Sequence, residues 1–365
     1  MGFPNDLIST EHQLRKRTKH LKSLCFAELN KVGIPFNETF EPIHVGVFRD
    51  EKYKLMSFLV AKIGSTFLKQ MHQIVHNGSQ VADSVFGLSR ESVHINISNQ
   101  PKLLNINNIQ DYTVMIFSRN PYARLFSFYI DKIYMPNAYH VFIEEIQNFY
   151  PGKKCFLDTT FSDFIKFVIG FSGNPPLYDH FCPSSNWITY VPLICHANDL
   201  YIIKQETFSR DVDHVLRSID IESKTYNTIR GALFDNKADI YLPGLIESFY
   251  ETTLKRLVRQ YPCVNAEKLP LRLWSALQIQ GYIPKRCGFP MDKFNPKSLL
   301  GDKNFMLKLV MATVRENPMS EDERRSQRTA ALHEAFDSID EQAKEKLVNM
   351  YRMDFTLFDY DTNIP

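Results

Sequence analysis

Two short stretches of this chain carry the residue types that hold a multiply charged anion. The first is Ala61-Lys62-Ile63-Gly64-Ser65-Thr66-Phe67-Leu68-Lys69. Gly64 lets the backbone approach an anion closely, Ser65 and Thr66 add hydroxyl donors, and Lys62 adds a compact, mobile charge. The GxxxxGK[ST] spacing of a Walker loop is absent. The second is Arg119-Asn120-Pro121-Tyr122-Ala123-Arg124-Leu125-Phe126-Ser127. Arg119 can fork onto a phosphate, and Ser127 lies two helical turns further on. Each feature alone has a plainer reading: a turn that caps a helix, a surface ion pair, a tolerated helix serine. Lys62 and Arg119 are 57 residues apart, and two anion-binding turns together suit a ligand with two separated phosphates. For proton transfer the leading residue is His180, because imidazole titrates nearest neutrality; a structural, hydrogen-bonding histidine is the competing reading. Glu206 is the runner-up, with helix capping as its plainer role.

These residues need elements to position them. Leu55–Ala61 is an apolar run of strand length, followed by a helical pattern that puts Phe67, Met71, Ile74 and Val75 on one face. Thr113–Ser118 is a second such run. Asn120 then supplies an N-cap and Pro121 suits the first helical position. Leu200–Ile203 is a third strand, followed by a helix with Phe208, Val212, Val215 and Leu216. Both anion turns therefore fall at strand-to-helix junctions, where helix amides and the positive dipole end favour phosphate. Ile246, Tyr250, Leu254, Leu257, Val258 and Tyr261 form one helical stripe. Ser320 with Glu323 makes a capping box, and Asp340 caps a last helix with Ala343, Leu347 and Met350. Residues 77–110 and 262–305 read as irregular. Strands alternating with helices predict an α/β fold with a mainly parallel sheet flanked by helices.

Composition narrows the function classes. The net charge is only +2, which argues against a duplex-DNA binder and its concentrated basic face. The run Arg15, Lys16, Arg17, Lys19, Lys22 reads as a solvated helix face, with polyanion contact as the sharper alternative. Cys25, Cys155, Cys182, Cys195, Cys263 and Cys287 are scattered without a CxxC pair, which speaks against structural zinc; the even number permits disulfides. No stretch reaches the roughly 18–20 apolar residues of a membrane span, and no secretory signal is visible at Met1. Sequons at Asn37, Asn77 and Asn96 fit a lumenal chain. The 28 Phe fit a broad core with a few rings left over to line a sugar cleft, core packing alone being the plainer account.

The same motifs resemble the Golgi carbohydrate sulfotransferases. Lys62-Ile63-Gly64-Ser65-Thr66 resembles their 5′-phosphosulfate loop, and Arg119 through Ser127 their 3′-phosphate motif, including Pro121, Arg124 and Ser127. Asp179-His180-Phe181 with Pro183 is similar to their His-Trp-x-Pro segment. Ile203-Lys204-Gln205-Glu206-Thr207 is similar to Gly-Lys-x-Glu-Thr, and Asp354-Phe355-Thr356-Leu357-Phe358-Asp359-Tyr360 to Asp-Phe-x-x-Phe-Gly-Tyr. The likeness runs sparsely from about Leu14 to Tyr360 and is nearest to the chondroitin, dermatan and HNK-1-like branch. Ala61, Asn120 and Phe181 depart from the usual Pro, Asp or Glu, and Trp.

The resemblance implies a P-loop-like sulfotransferase fold over 46–365, with a polar, partly helical segment 1–45 before it. It leaves 262–320 as an irregular candidate insertion. It implies transfer of a sulfonate group from PAPS (3′-phosphoadenosine 5′-phosphosulfate) to a glycan hydroxyl. Lys62, Ile63, Gly64, Ser65, Thr66, Arg119, Arg124 and Ser127 would bind the donor, and Lys62 and His180 would act catalytically, with no metal. The expected partner is a glycan acceptor and not a nucleic acid. Residence is expected in the Golgi lumen, with membrane attachment only through an anchor this sequence does not show. Two rivals remain: an inactive relative that only binds glycans, and a kinase-like nucleotide enzyme that would need ATP and Mg²⁺.

Overall fold

The structure is a computed structural model that describes residues 4–27, 46–89, 92–94, 108–135, 140–171, 180–186, 194–234, 237–264, 268–291 and 303–364. Short apolar runs become strands where both faces can be covered. Among the described residues the strands are β1 (Gly46–Asp50), β2 (Leu55–Leu59), β3 (Thr113–Ser118) and β4 (Asp199–Lys204). Every residue of β2 is buried, as is every residue of β3 after Thr113. The sheet has the order β1-β2-β3-β4, with β1 antiparallel to β2 and the other pairs parallel. Phe58 stands opposite Ile116, and Ser118 opposite Lys204, so the carboxyl ends of the three parallel strands are nearly level. The mainly parallel α/β sheet is thus as expected. The antiparallel β1 is an addition, because Gly46-Val47-Phe48-Arg49-Asp50 is too short and mixed to stand out from the polar residues before it.

The chain packs as two units. The first comprises Met1–Arg124, Tyr178–Lys237 and Val348–Asn363; the second comprises Leu125–Leu177, Ala238–Leu347 and Ile364–Pro365. The first contains the sheet and the helices α1 (Pro4–Ala27), α2 (Ser65–Asn77), the start of α3 (Pro121–Phe128), α4 (Phe208–Ser218), α5 (Ser223–Phe234) and α6 (Arg352–Phe358). Helix α2 packs by β1, while α1 and α4 pack on β4.

Helix α1 lies in the N-terminal segment expected to be polar and partly helical, and it packs on the sheet. Leu14 and Leu21 are buried. Strand β4 lies at the sheet edge, where backbone groups need partners, and α1 supplies them. Thr18 Oγ1 donates to the Leu200 carbonyl at 2.7 Å, and Arg17 Nη1 to the Ile202 carbonyl at 3.2 Å. Lys22 Nζ donates to the Ala197 carbonyl just before the strand, at 2.8 Å. Arg17 also meets the buried Asp211 carboxylate at 2.6 Å, and a disulfide joins Cys25 to Cys195. Arg17 and Lys22 therefore do not belong to the solvated basic face; Arg15, paired with Glu11, does.

The second unit is helical. Phe128, Phe142, Phe161, Phe164 and Phe336 pack ring against ring in its interior, so core packing accounts for these phenylalanines. A second disulfide joins Cys155 to Cys263, and the Ser320–Glu323 capping box forms. The 262–320 region is not irregular throughout: helices occupy Lys268–Ile279 and Lys303–Glu316. Pro270 conceals the first in the sequence, yet it sits in the opening turn, where a proline costs a helix nothing. Along the expected stripe, Ile246, Tyr250, Leu254 and Leu257 are buried. A π-turn at Phe249–Leu254 shifts the phase, leaving Val258 and Tyr261 half-buried.

Candidate functional site

In open α/β sheets ligands collect at the carboxyl ends of the parallel strands, and three expected motifs arrive there in the first unit. Strand β2 leads through Val60 and Ala61 into the Lys62 turn and then α2. Gly64 is the residue before α2, with φ +88°. Lys62 itself has φ +70°; a non-glycine residue in that region costs on the order of 1–3 kcal/mol and is characteristic of functional turns. A Cβ on Gly64 would stand 3.3 Å from Gln205 Oε1 and 3.9 Å from the Phe208 ring, so this turn lies against the one that follows β4. Buried Ile63 anchors it. Ser65 and Thr66 begin α2, half-buried, where helix amides have no partner within the helix.

The Arg119 turn follows the neighbouring strand. Arg119 Nη1 donates to the Lys62 carbonyl at 3.0 Å, so the two anion turns are in direct contact. Asn120 Oδ1 accepts from the amides of Tyr122 and Ala123 at 3.0 and 3.2 Å. It caps α3 as expected, and serves as the usual carboxylate would.

Arg124 is placed differently from expectation. It is 1% exposed, its Nε donates to the Ala61 carbonyl at 3.0 Å, and its Nη1 donates to the Cys182 carbonyl. It is a buried link between two backbone segments. Ser127 lies half-buried further along α3, among residues of the second unit.

His180 opens the described segment 180–186 and is half-buried; Asp179 lies outside the described residues. Phe181, where the family pattern has Trp, is buried, and Tyr351 Oη donates to its carbonyl. The buried Asp354 carboxylate accepts from the amides of Ser184 and Ser185 at 2.7 and 2.6 Å. Burial raises its pKa, and nearby Arg124 opposes that. The segment bearing His180 is thus held from the helix arginine on one side and from α6 on the other.

Glu206 is committed to structure. Its Oε1 accepts from the Asn120 amide and its Oε2 from Tyr360 Oη, both at 2.9 Å. It supports the Arg119 turn and not the helix that follows Lys204. Lys204 Nζ donates to the Asp359 carbonyl at 2.9 Å and sits 4.0 Å from the centre of the Tyr360 ring.

One residue went unnoticed in the sequence. His94 Nε2 lies 3.2 Å from Thr66 Oγ1, yet it occurs in an Asn- and Ser-rich stretch with no motif around it. A hollow of about 470 Å³ is lined by residues of 216–226, including Arg217, Asp220 and Tyr226. It lies at the far end of α4 from these turns and shares no residue with them. Among the described residues no cluster of His, Cys, Asp or Glu could hold a metal ion.

A family model described as the sulfotransferase family matches residues 45–261, more than half of the chain. No curated protein and no solved structure matches it.

Proposed function

Because the chain belongs to the sulfotransferase family, whose sulfate donor is PAPS, we propose that it transfers a sulfonate group from PAPS to a glycan hydroxyl. The observation that carries this reading is the bond from Arg119 to the Lys62 carbonyl, which makes the two anion turns one continuous wall. A ligand with phosphates at both ends of an adenosine suits such a wall. The left-handed Gly64 is exposed, and its missing Cβ lets the turn sit against Gln205 and Phe208.

In this reading Lys62 and the amides of 64–66 stabilise the negative charge that grows on the leaving phosphate oxygen. Losing one such preorganised donor costs about 3 kcal/mol of transition-state stabilisation, on the order of a hundredfold in rate. Arg119 holds the 3′-phosphate, and buried Ile63 anchors the loop. His180 takes the acceptor's proton. We set His94 beside it as a second candidate base, because it is hydrogen-bonded to the donor loop through Thr66. We place the reaction in the Golgi lumen. Two disulfides support an oxidising compartment, and the sequon asparagine Asn77 is exposed; Asn37 and Asn96 lie outside the described residues. No described helix is long and apolar enough to cross a membrane.

The test is calorimetric binding of PAP without Mg²⁺, followed by mass-detected transfer from PAPS to a panel of glycosaminoglycans. Lys62→Ala is expected to cut transfer about a hundredfold or more while the fold persists, and full turnover by this variant would overturn the assignment. His180→Ala should lower kcat with PAP affinity kept. If His94→Ala shows that loss instead, His94 is the base.

A further inference from the structure

The family match ends at residue 261, yet the chain's last helix and the residues after it return to the donor wall. Tyr360 Oη donates to Glu206 Oε2 at 2.9 Å and lies 3.3 Å from Ser118 Oγ, the last residue of β3. Glu206 Oε1 accepts the Asn120 amide at 2.9 Å. The Arg119 turn is therefore gripped on both sides: at Ser118 by the phenol, and at Asn120 by the carboxylate the phenol orients. The tyrosine is itself fixed by what precedes it. Asp359 adopts a left-handed conformation, φ 51° and ψ 55°, at the end of α6, which turns the chain back towards β4. There Lys204 Nζ bonds the Asp359 carbonyl and covers the Tyr360 ring.

We propose that Tyr360 and Glu206 form a positioning pair that sets the register of the Arg119 turn and thereby the protein's affinity for the 3′-phosphate of its donor. The carboxylate has two oxygens and two donors to satisfy. With the phenol present, one oxygen is occupied and the other is presented to Asn120. Without it the carboxylate, exposed to solvent, rotates freely, and Arg119 samples positions away from the donor. Burial raises the Tyr360 pKa well above its ordinary value, so the phenol remains a donor at any working pH.

The pair's role rests on the donor-site reading above, and the experiment separates the two. PAP affinity is measured by calorimetry on the full chain for wild type, Tyr360→Phe, Glu206→Ala, Glu206→Gln and Arg119→Ala, with thermal unfolding recorded in parallel. Loss of one hydrogen bond of ordinary net strength at the turn should weaken PAP binding about three- to tenfold in Tyr360→Phe. Glu206→Ala should do at least as much. Glu206→Gln should recover most of the affinity, because its amide oxygen accepts from Asn120 and its NH₂ donates to the phenol. If Tyr360→Phe and Glu206→Ala lower only the melting temperature while Arg119→Ala loses PAP, the pair merely stabilises the fold and the positioning role falls. If Arg119→Ala binds PAP as wild type does, the donor-site reading itself fails and takes this role with it.

Discussion

Arg124 separates what a sequence motif suggests from what packing dictates. Its guanidinium is buried and spends Nε on Ala61 and Nη1 on Cys182, close enough to Asp354 to oppose the rise in that carboxyl's pKa. Arg124→Ala would take a donor from the buried Cys182 carbonyl, at about 1–3 kcal/mol, and from the half-buried Ala61 carbonyl, at about 1 kcal/mol. It would also remove the charge that opposes the rise in the Asp354 pKa. A total of about 2–4 kcal/mol is expected, on the order of 10 °C in melting temperature for a large domain. Arg124→Lys keeps the charge, but one ammonium cannot serve two carbonyls in fixed directions, so an intermediate loss is expected. Thermal unfolding without nucleotide, alongside PAP calorimetry, reads both quantities. A direct phosphate ligand would give the opposite pattern: unchanged unfolding in the free protein and a large loss of PAP affinity. That result would refute the reasoning from burial.

Three further outcomes follow from particular contacts. Gly64→Ala forces an L-residue into left-handed backbone at about 1–2 kcal/mol and brings a Cβ to 3.3 Å from Gln205 Oε1; PAP affinity should fall about fivefold or more, and wild-type binding would mean that the loop does not need its free-state shape. His72 is buried and stacked on Phe48 with ring centroids 4.7 Å apart, and burial pushes its pKa down to about 3 from an ordinary 6.5. The unfolded chain then binds the extra proton, so stability is lost as pH falls below about 6.5, by roughly 2 kcal/mol at pH 5. His72→Phe should remove that part of the acid sensitivity, as read by melting temperature at pH 7 and pH 5. The Cys25–Cys195 bridge closes a separation of 170 residues, so the Cys25→Ser, Cys195→Ser pair should lose about 2–5 kcal/mol in denaturant unfolding.

The parallel strands and both anion turns were legible because each depends on local pattern: an apolar run, a glycine, an arginine, then a helix start. Asn120 and Ser320 announced their caps for the same reason. The contacts that complete the site were not legible, because they join distant residues. Nothing near Glu206 indicates that its partners are Asn120 and Tyr360, and nothing near Arg17 indicates Asp211. The burial of Arg124 was not legible, because a motif gives residue type but not depth. The helix at Lys268–Ile279 was missed because Pro270 reads as a breaker unless its position in the first turn is known. The left-handed Asp359 stands where the resembled ending has Gly, which shows that the backbone turn can persist when its most permissive residue is replaced.

The donors that α1 gives to the rim of β4 have a practical corollary. A fragment trimmed to the segment the family model matches would lack Thr18, Arg17 and Lys22, and with them the cover over the Leu200 and Ile202 carbonyls. A bare strand margin invites a neighbouring chain to add its own strand. Such a fragment should self-associate rather than remain dispersed.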